Sequence, residues 1–337
     1  MRSELAIDLG ALRRNAQTLL RALDGAELWA VVKANAYGHG AVDCARAVLE
    51  AGASRLCVAT VPEALELRDA FPDARILVLG PAGESVGQAR DARLALTVPG
   101  EQIPEGVEVH VKLDTGMGRW GLSELAAGAR AVAGVMTHLA TADSDLDFAR
   151  LQLERFRAAT DSLPQLTRHA ANSAATLRLP ESHFDAVRCG IALYGISPFG
   201  GDPAGDGLEP VLSWTTELAQ VKLLRAGEST GYGRRFVAHR DTWVGILPVG
   251  YADGLRRSLT GTSVLVAGEP RPVIGAISMD AAAVLLDRAL PAGTTVTIVG
   301  NGQTLEAHAE VAGTIAYELA CGIASSPTRA RRVVKGS

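Results

Sequence analysis

The sequence predicts an α/β domain followed by a smaller, mostly β domain. Three observations carry this. Short apolar runs recur over residues 28–190, eight in all, separated mostly by stretches with helical spacing, the pattern of buried strands alternating with helices. A Gly/Pro/Asp-rich segment, FGGDPAGDGLEP at 199–210, then interrupts the alternation. Beyond it the runs are β-like and many are separated by glycines, as in a small all-β domain. A count of eight suits a closed barrel, and an open sheet satisfies the same pattern.

Residues 3–7, SELAI, read as a short strand. Asp8 stands where a cap would, before LGALRRNAQTLLRAL, whose Leu9, Leu12, Leu19 and Leu20 suit an amphipathic helix. The first buried strand, 28–32, ends at Lys33; helical spacing over 40–51 closes at Gly52. Strand 55–59 precedes a helix over 62–70, with Pro62 near its first turn. Strand 75–79 stops at Gly80 and Pro81, a short helix occupies 83–90, and strand 94–98 follows. Strand 107–114 holds Lys112 and Asp114 at its end. A helix at 122–130 leads to strand 132–138, and a long helix covers 145–160. Strand 166–170 turns helical in ANSAATLRL, and 184–190 is the eighth strand.

The 337 residues suffice for one large domain and one smaller one, or for two medium domains. Hydrophobic content of 47% with 21% charged residues is that of a folding chain. A net charge of -4 favours no polyanion, so no nucleic acid is expected. No apolar run reaches the about 18 residues of a membrane span. The basic cluster Arg329, Arg331, Arg332 and Lys335 reads as a solvated tail. Cysteines at 44, 57, 189 and 321 form no close metal pair and fit reduced thiols in a cytoplasmic protein. No metal is expected. Glu4 and Asp8 in the first apolar stretch argue against a signal peptide.

Several polar residues stand where strands end. In AVVKANAYGHG, 30–40, Lys33 closes an apolar run and opens a Gly-rich loop that also holds Asn35 and Tyr37. A partly buried amine there can form an imine; a lysine that caps the strand and reaches solvent reads equally well. In VKLDTGMGRWG, 111–121, Arg119 is placed for a carboxylate or phenolate, or for solvent. His138 ends the sixth strand and either faces a ligand or is satisfied by a neighbour. Asn172 and Ser173 open a helix, where N–H groups receive a phosphate or Asn172 acts as a plain N-cap. Arg188 lies inside an apolar strand and requires a partner, for which a salt bridge is the simplest candidate. Tyr232 and Tyr251 sit in Gly-rich loops, as turn aromatics often do. Met279 and Tyr317 read as core filler from spacing alone.

The strings VVKANAYGHG, KLDTGMGR, STGYGRRF and AISMD resemble the bacterial alanine racemases over about residues 3–329. The resemblance implies a (β/α)8 TIM-like barrel at 8–205 and a mostly β domain at 206–337, with residues 1–7 a strand able to join the latter. It implies pyridoxal 5'-phosphate (PLP) carried by Lys33, with Tyr37, Arg119, His138, Asn172, Ser173, Arg188, Gly190, Ile191 and Tyr317 around it. There, the arginine matching Arg119 approaches the PLP 3'-oxygen and the substrate carboxylate, and the histidine matching His138 stacks on the pyridine ring. Arg188 is set against the pyridine nitrogen, with His169 supporting it. The serine matching Ser173, the backbone of Gly190 and Ile191, and Tyr317 reach the phosphate. Arg119, Tyr251 and Met279 meet the substrate, while Lys112, Asp280 and Arg329 support the site; the lysine matching Lys112 is carbamylated in some members. Lys33 and a partner subunit's Tyr232 are the implied acid–base pair that interconverts L- and D-alanine in a homodimer, serine being a secondary candidate. Two departures stand out. Ser326 occupies a position where the family usually has arginine, and Trp120 one where an aliphatic residue is common.

Overall fold

In a computed structural model, the structure describes residues 2–100, 102–125 and 132–336. The chain forms two compact units. One comprises residues 11–199 and 203–209; the other comprises residues 1–10, 200–202 and 210–337.

The first unit is a closed barrel of eight parallel strands. These are β2 (Glu27–Val31), β3 (Arg55–Val58), β4 (Ile76–Val78), β5 (Ala95–Val98), β6 (Glu108–Lys112), β7 (Gly134–Met136), β8 (Thr167–His169) and β9 (Ala186–Cys189), the numbering leaving β1 for the N-terminal strand. Closure is by β2 on β9, with Trp29 opposite Arg188. The apolar runs are buried throughout, as barrel strands packed on both faces must be. Two helices are fixed by their first residues. Thr60 caps Val61–Ala70 in a reciprocal box with Glu63, and Asp145 caps Leu146–Thr160. The helix expected at 122–130 falls partly outside the described residues, which resume at 132; Leu122 itself bridges to Leu113 beside β6.

The second unit holds a nine-stranded sheet. β1 (Ser3–Asp8) lies between β10 (Leu212–Glu217) and the C-terminal β19 (Arg331–Lys335), antiparallel to the first and parallel to the second. The basic run expected as a solvated tail is therefore a strand. Its Val333 and Val334 are half-buried beside Ala6 and Ile7, and Arg331 is ion-paired with Glu4. The remaining strands pair antiparallel, and Leu224, Val244, Ile274 and Ala283 form a small apolar core among them.

Candidate active site

Lys33 stands just past the C-terminal end of β2, half-buried. The Gly-rich loop expected after it begins as a left-handed turn. Ala34, Asn35, Ala36 and Tyr37 have φ of 52°, 52°, 55° and 53°. Left-handed helical backbone costs an L-residue about 1–2 kcal/mol, so four in succession require external support. The supports are identifiable. Ala36 N–H donates to Val32 O at 2.9 Å, Gly38 N–H to Ala34 O at 3.0 Å and Gly40 N–H to Asn35 O at 2.9 Å. Glu63 Oε1 accepts from Ala34 N–H at 2.8 Å while its Oε2 accepts from Ala59 N–H at 2.8 Å. The turn buries Tyr37 beside Tyr194, ring centroids 5.0 Å apart. A Cβ at Gly190 would lie 2.4 Å from the Tyr37 hydroxyl, so the glycine makes room for the phenol.

Arg188, in β9, has no carboxylate partner among the described residues. Its Nη1 donates to His169 Nδ1 and His169 O, both at 2.8 Å. Its Nη2 donates to Thr137 O at 2.8 Å and Ala170 O at 3.1 Å, and lies 3.3 Å from His138 Nδ1. Neutral acceptors thus replace the salt bridge that strand burial suggested. Nε makes no hydrogen bond among the described residues. Burial pulls the guanidinium down to about 10, and it stays charged at neutral pH.

Cations gather around His138. Burial, then the charges of Arg188, Lys112, Arg119 and Lys33, hold its imidazole well below the ordinary histidine value, so the ring is neutral. Burial, then Arg119 and Arg188, pull Lys112 down to about 8. Trp120 lies among these groups, its ring 5.5 Å from the Arg119 guanidinium carbon and 5.6 Å from Lys112 Nζ, both within reach of a cation–π attraction. Asp114 shapes the loop: its Oδ1 accepts the N–H groups of Gly116, Met117 and Gly118 at 3.0, 2.8 and 3.1 Å.

Ser173 collects backbone donors. Gly190 N–H and Ala192 N–H converge on its Oγ at 3.0 and 3.4 Å, with Ile191 buried between them. Asn172 is the helix N-cap, its Oδ1 accepting from Ala175 N–H at 3.0 Å.

The other unit carries the remaining candidates on linked loops. Tyr232 opens a 3-10 turn between Gly231 and Gly233, which have φ of 77° and 69°, and is 74% exposed. A Cβ on Gly231 would meet Ala276 backbone at 3.1 Å. Tyr251 N–H donates to Ser278 O at 3.0 Å, and Ala252 N–H to Met279 O at 3.1 Å. The segment 276–279 therefore ties both tyrosine loops together, with Tyr232, Tyr251 and Met279 all exposed. Beneath it, Arg2 donates to the buried Asp253 at 3.0 Å, and Arg329 to Asp280 at 2.5 Å. Tyr317 is half-buried on the helix Ala316–Gly322.

Sequence reading did not single out Glu63, nor a set formed by the buried Trp29, Arg55 and His110 with the exposed Glu108. Thr60-x-x-Glu63 is a capping-box pattern and was available as a signal. So was the alternation in EVHVK, which puts Glu108, His110 and Lys112 on one face of a strand.

Both domains are matched in known proteins. Residues 7–198 match the alanine racemase N-terminal domain and 211–333 the alanine racemase C-terminal domain. An alanine racemase of Listeria monocytogenes is 40% identical over 94% of both chains. Alanine racemase 1 of Bacillus subtilis is 41% identical over 96% of this chain and 91% of its own. The crystal structure of the alanine racemase of Streptomyces lavendulae superposes with a TM-score of 0.93 at 38% identity, covering 100% of this chain and 98% of that one. With both domains matched in order and the barrel and β sheet superposing, the chain belongs to the alanine racemase family.

Proposed function

We propose that the protein interconverts L- and D-alanine with PLP held by Lys33. The observation that carries this is the group of cations around a neutral His138, with Arg188 buried and unaccompanied by a carboxylate. Such a set fits an anionic aromatic ligand. The Lys33 and Arg119 cations favour phosphate, phenolate or carboxylate oxygens. Ser173 and the backbone at Gly190 and Ile191 suit a phosphate, and Arg188 Nε suits an unprotonated ring nitrogen. When bound, PLP supplies a conjugated ring that acidifies the α-C–H of an attached amino acid.

The remaining work falls to this chain's own residues. Lys33 Nζ would hold the cofactor and, freed when the substrate amine takes its place, would exchange the α-proton on one face, taking it from D-alanine. The partner subunit's Tyr232 presents its Oη to the other face and takes the proton from L-alanine. Arg119 and the backbone N–H of Met279 hold the substrate carboxylate, and Tyr251 lines the approach. Arg188 remains protonated at neutral pH and would donate to the ring nitrogen, limiting the ring's electron withdrawal and so disfavouring transamination. Lys112, in its carbamylated form, is an anion able to orient Arg119. The exposed Tyr232 supports a homodimer with composite sites, two-fold closure being the common arrangement. No helix among the described residues is long and apolar enough to cross a membrane; we place the reaction in the cytoplasm.

The test is incubation with L-alanine in D₂O, with and without added PLP, following optical rotation and α-deuterium together. Loss of rotation with deuterium uptake is expected. Stable rotation in PLP-loaded protein would sink the proposal. A parallel run with serine measures specificity, since a methyl-sized pocket discriminates a hydroxyl only weakly.

A further inference from the structure

Inside the barrel a row of side chains runs from Arg188 to the opposite, N-terminal end. His169 Nε2 lies 3.0 Å from His110 Nδ1. His110 Nε2 lies 3.1 Å from Glu108 Oε1 and 3.2 Å from Arg55 Nη1. Arg55, 1% exposed, donates through Nη2 to the same Glu108 oxygen at 2.8 Å. Glu108 is the first residue of β6, 43% exposed, beside a recess of about 180 Å³ lined also by Arg55, Arg68, Arg75 and Ile76. Trp29 packs on both imidazoles, with centroids 5.6 and 4.5 Å away. A Cβ at Gly134 would come within 2.3 Å of His110 Nδ1, so β7 leaves space for this ring. The racemase scheme above uses none of Glu108, His110, Arg55 or Trp29.

We propose that Glu108 is a positioning residue for the reaction: its carboxylate sets the tautomers of His110 and His169 and thereby presents a lone pair, rather than an N–H, to Arg188. The inference rests on the racemase reading only in what Arg188 is for; the ring states belong to the chain alone.

Donor chemistry dictates the direction. A guanidinium only donates, so His169 Nδ1 accepts from Arg188 and its proton sits on Nε2. That Nε2–H donates to His110 Nδ1, which leaves the His110 proton on Nε2. At that nitrogen stand one acceptor, Glu108, and one donor, Arg55. The Nε2–H goes to Glu108, and the Arg55 Nη1 approach is donor against donor. Both rings are neutral, burial being the main cause of their lowered pKa values. The His110 hydrogen bond leads in drawing the Glu108 carboxyl down to about 2, so it stays ionised.

Removal of the carboxylate reverses the preference. Arg55 Nη1 then donates to a His110 Nε2 lone pair, and the His110 proton moves to Nδ1. His169 Nε2 must now accept, so its proton moves to Nδ1 and faces the Arg188 Nη1–H. A change at the far end of the barrel thus arrives at Arg188 as a repulsive contact.

Three variants test this. Glu108→Gln keeps an acceptor oxygen and is expected to keep both tautomers. Glu108→Ala is expected to move both protons to Nδ1 and lower kcat about tenfold, equivalent to about 1.4 kcal/mol of barrier, with alanine KM unchanged. Glu108→Ala combined with Arg55→Met removes the competing donor as well, and is expected to restore the original tautomers and most of kcat. A merely structural role predicts the opposite, a double variant at least as impaired as the single. Imidazole ¹⁵N NMR on the intact protein reads each ring directly, because a protonated and an unprotonated ring nitrogen resonate far apart. Finding either ring as Nδ1–H or as imidazolium in the unsubstituted protein overturns the proposal, even if Glu108→Ala does not fold. So does a folded Glu108→Ala that retains both Nε2–H rings. Correct ring states without alanine racemisation would instead overturn the function assigned to the site.

Discussion

The barrel and the β domain hold their candidate residues in opposite ways. In the barrel, Arg188 is buried and both its terminal nitrogens are committed to fixed acceptors. In the β domain, Tyr232, Tyr251 and Met279 are exposed side chains on glycine-held loops whose backbones, not side chains, are tied down. One half is preorganised within its own fold. The other positions its loops by backbone bonds and leaves these side chains exposed. A fixed Arg188 and an exposed phenol are what the proposed two-face proton transfer between subunits requires.

The sharpest break in this comparison is Lys33→Ala. It is expected to abolish turnover and the absorbance near about 420 nm given by a lysine-bound cofactor; full activity with that absorbance retained would reject the assignment. Tyr232→Phe should come next, lowering the L-to-D rate by about 10²- to 10⁴-fold while cofactor remains bound. Normal α-proton exchange of L-alanine in this variant would refute the assignment of the two faces.

A smaller effect is expected at Lys112. Its amine, drawn down to about 8, is substantially neutral at pH 8 and surrounded by cations, which favours conversion to an anionic carbamate. Incubation with ¹³C-bicarbonate should give a carbamate NMR signal that Lys112→Ala removes. Without carbon dioxide the sign of the pH effect is fixed. The folded amine loses its proton at lower pH than the unfolded one, ordinarily near about 10.4. The penalty for burying the charge is therefore present in full below pH about 8 and relieved as pH rises toward the ordinary value, so stability should increase across that window. The smallest effect is Thr60→Ala, which removes the cap of Val61–Ala70 and should cost about 1 kcal/mol in chemical denaturation.

Much of this was legible in the sequence because buried strands announce themselves. Runs such as LWAVV and RLCVA mark the barrel, and a charged residue within one, as at Arg188, marks a site. The turn after Lys33 was not legible. Of Ala34, Asn35 and Ala36 only Asn35 has a left-handed leaning, and part of the turn's support comes from Glu63, a residue of another element. The Glu108–His110–His169 row was hidden for a similar reason. Glu108 and His110 share a strand face, but His169 lies 59 residues further on and joins them only through the pairing of β6, β7 and β8. The C-terminal run was misread because its charges outweigh Val333 and Val334, whereas pairing with β1 gives the backbone a partner regardless of side-chain charge.

The turn at 34–37 has a stereochemical corollary. Its backbone is the mirror image of an ordinary helical turn, so the conformation that strains an L-residue is the relaxed one for its enantiomer. At the exposed Ala34 a chemically synthesised chain bearing D-alanine should fold more stably than the natural polymer. The segment beside the lysine would then accommodate, within its own main chain, the same handedness that the reaction is proposed to produce.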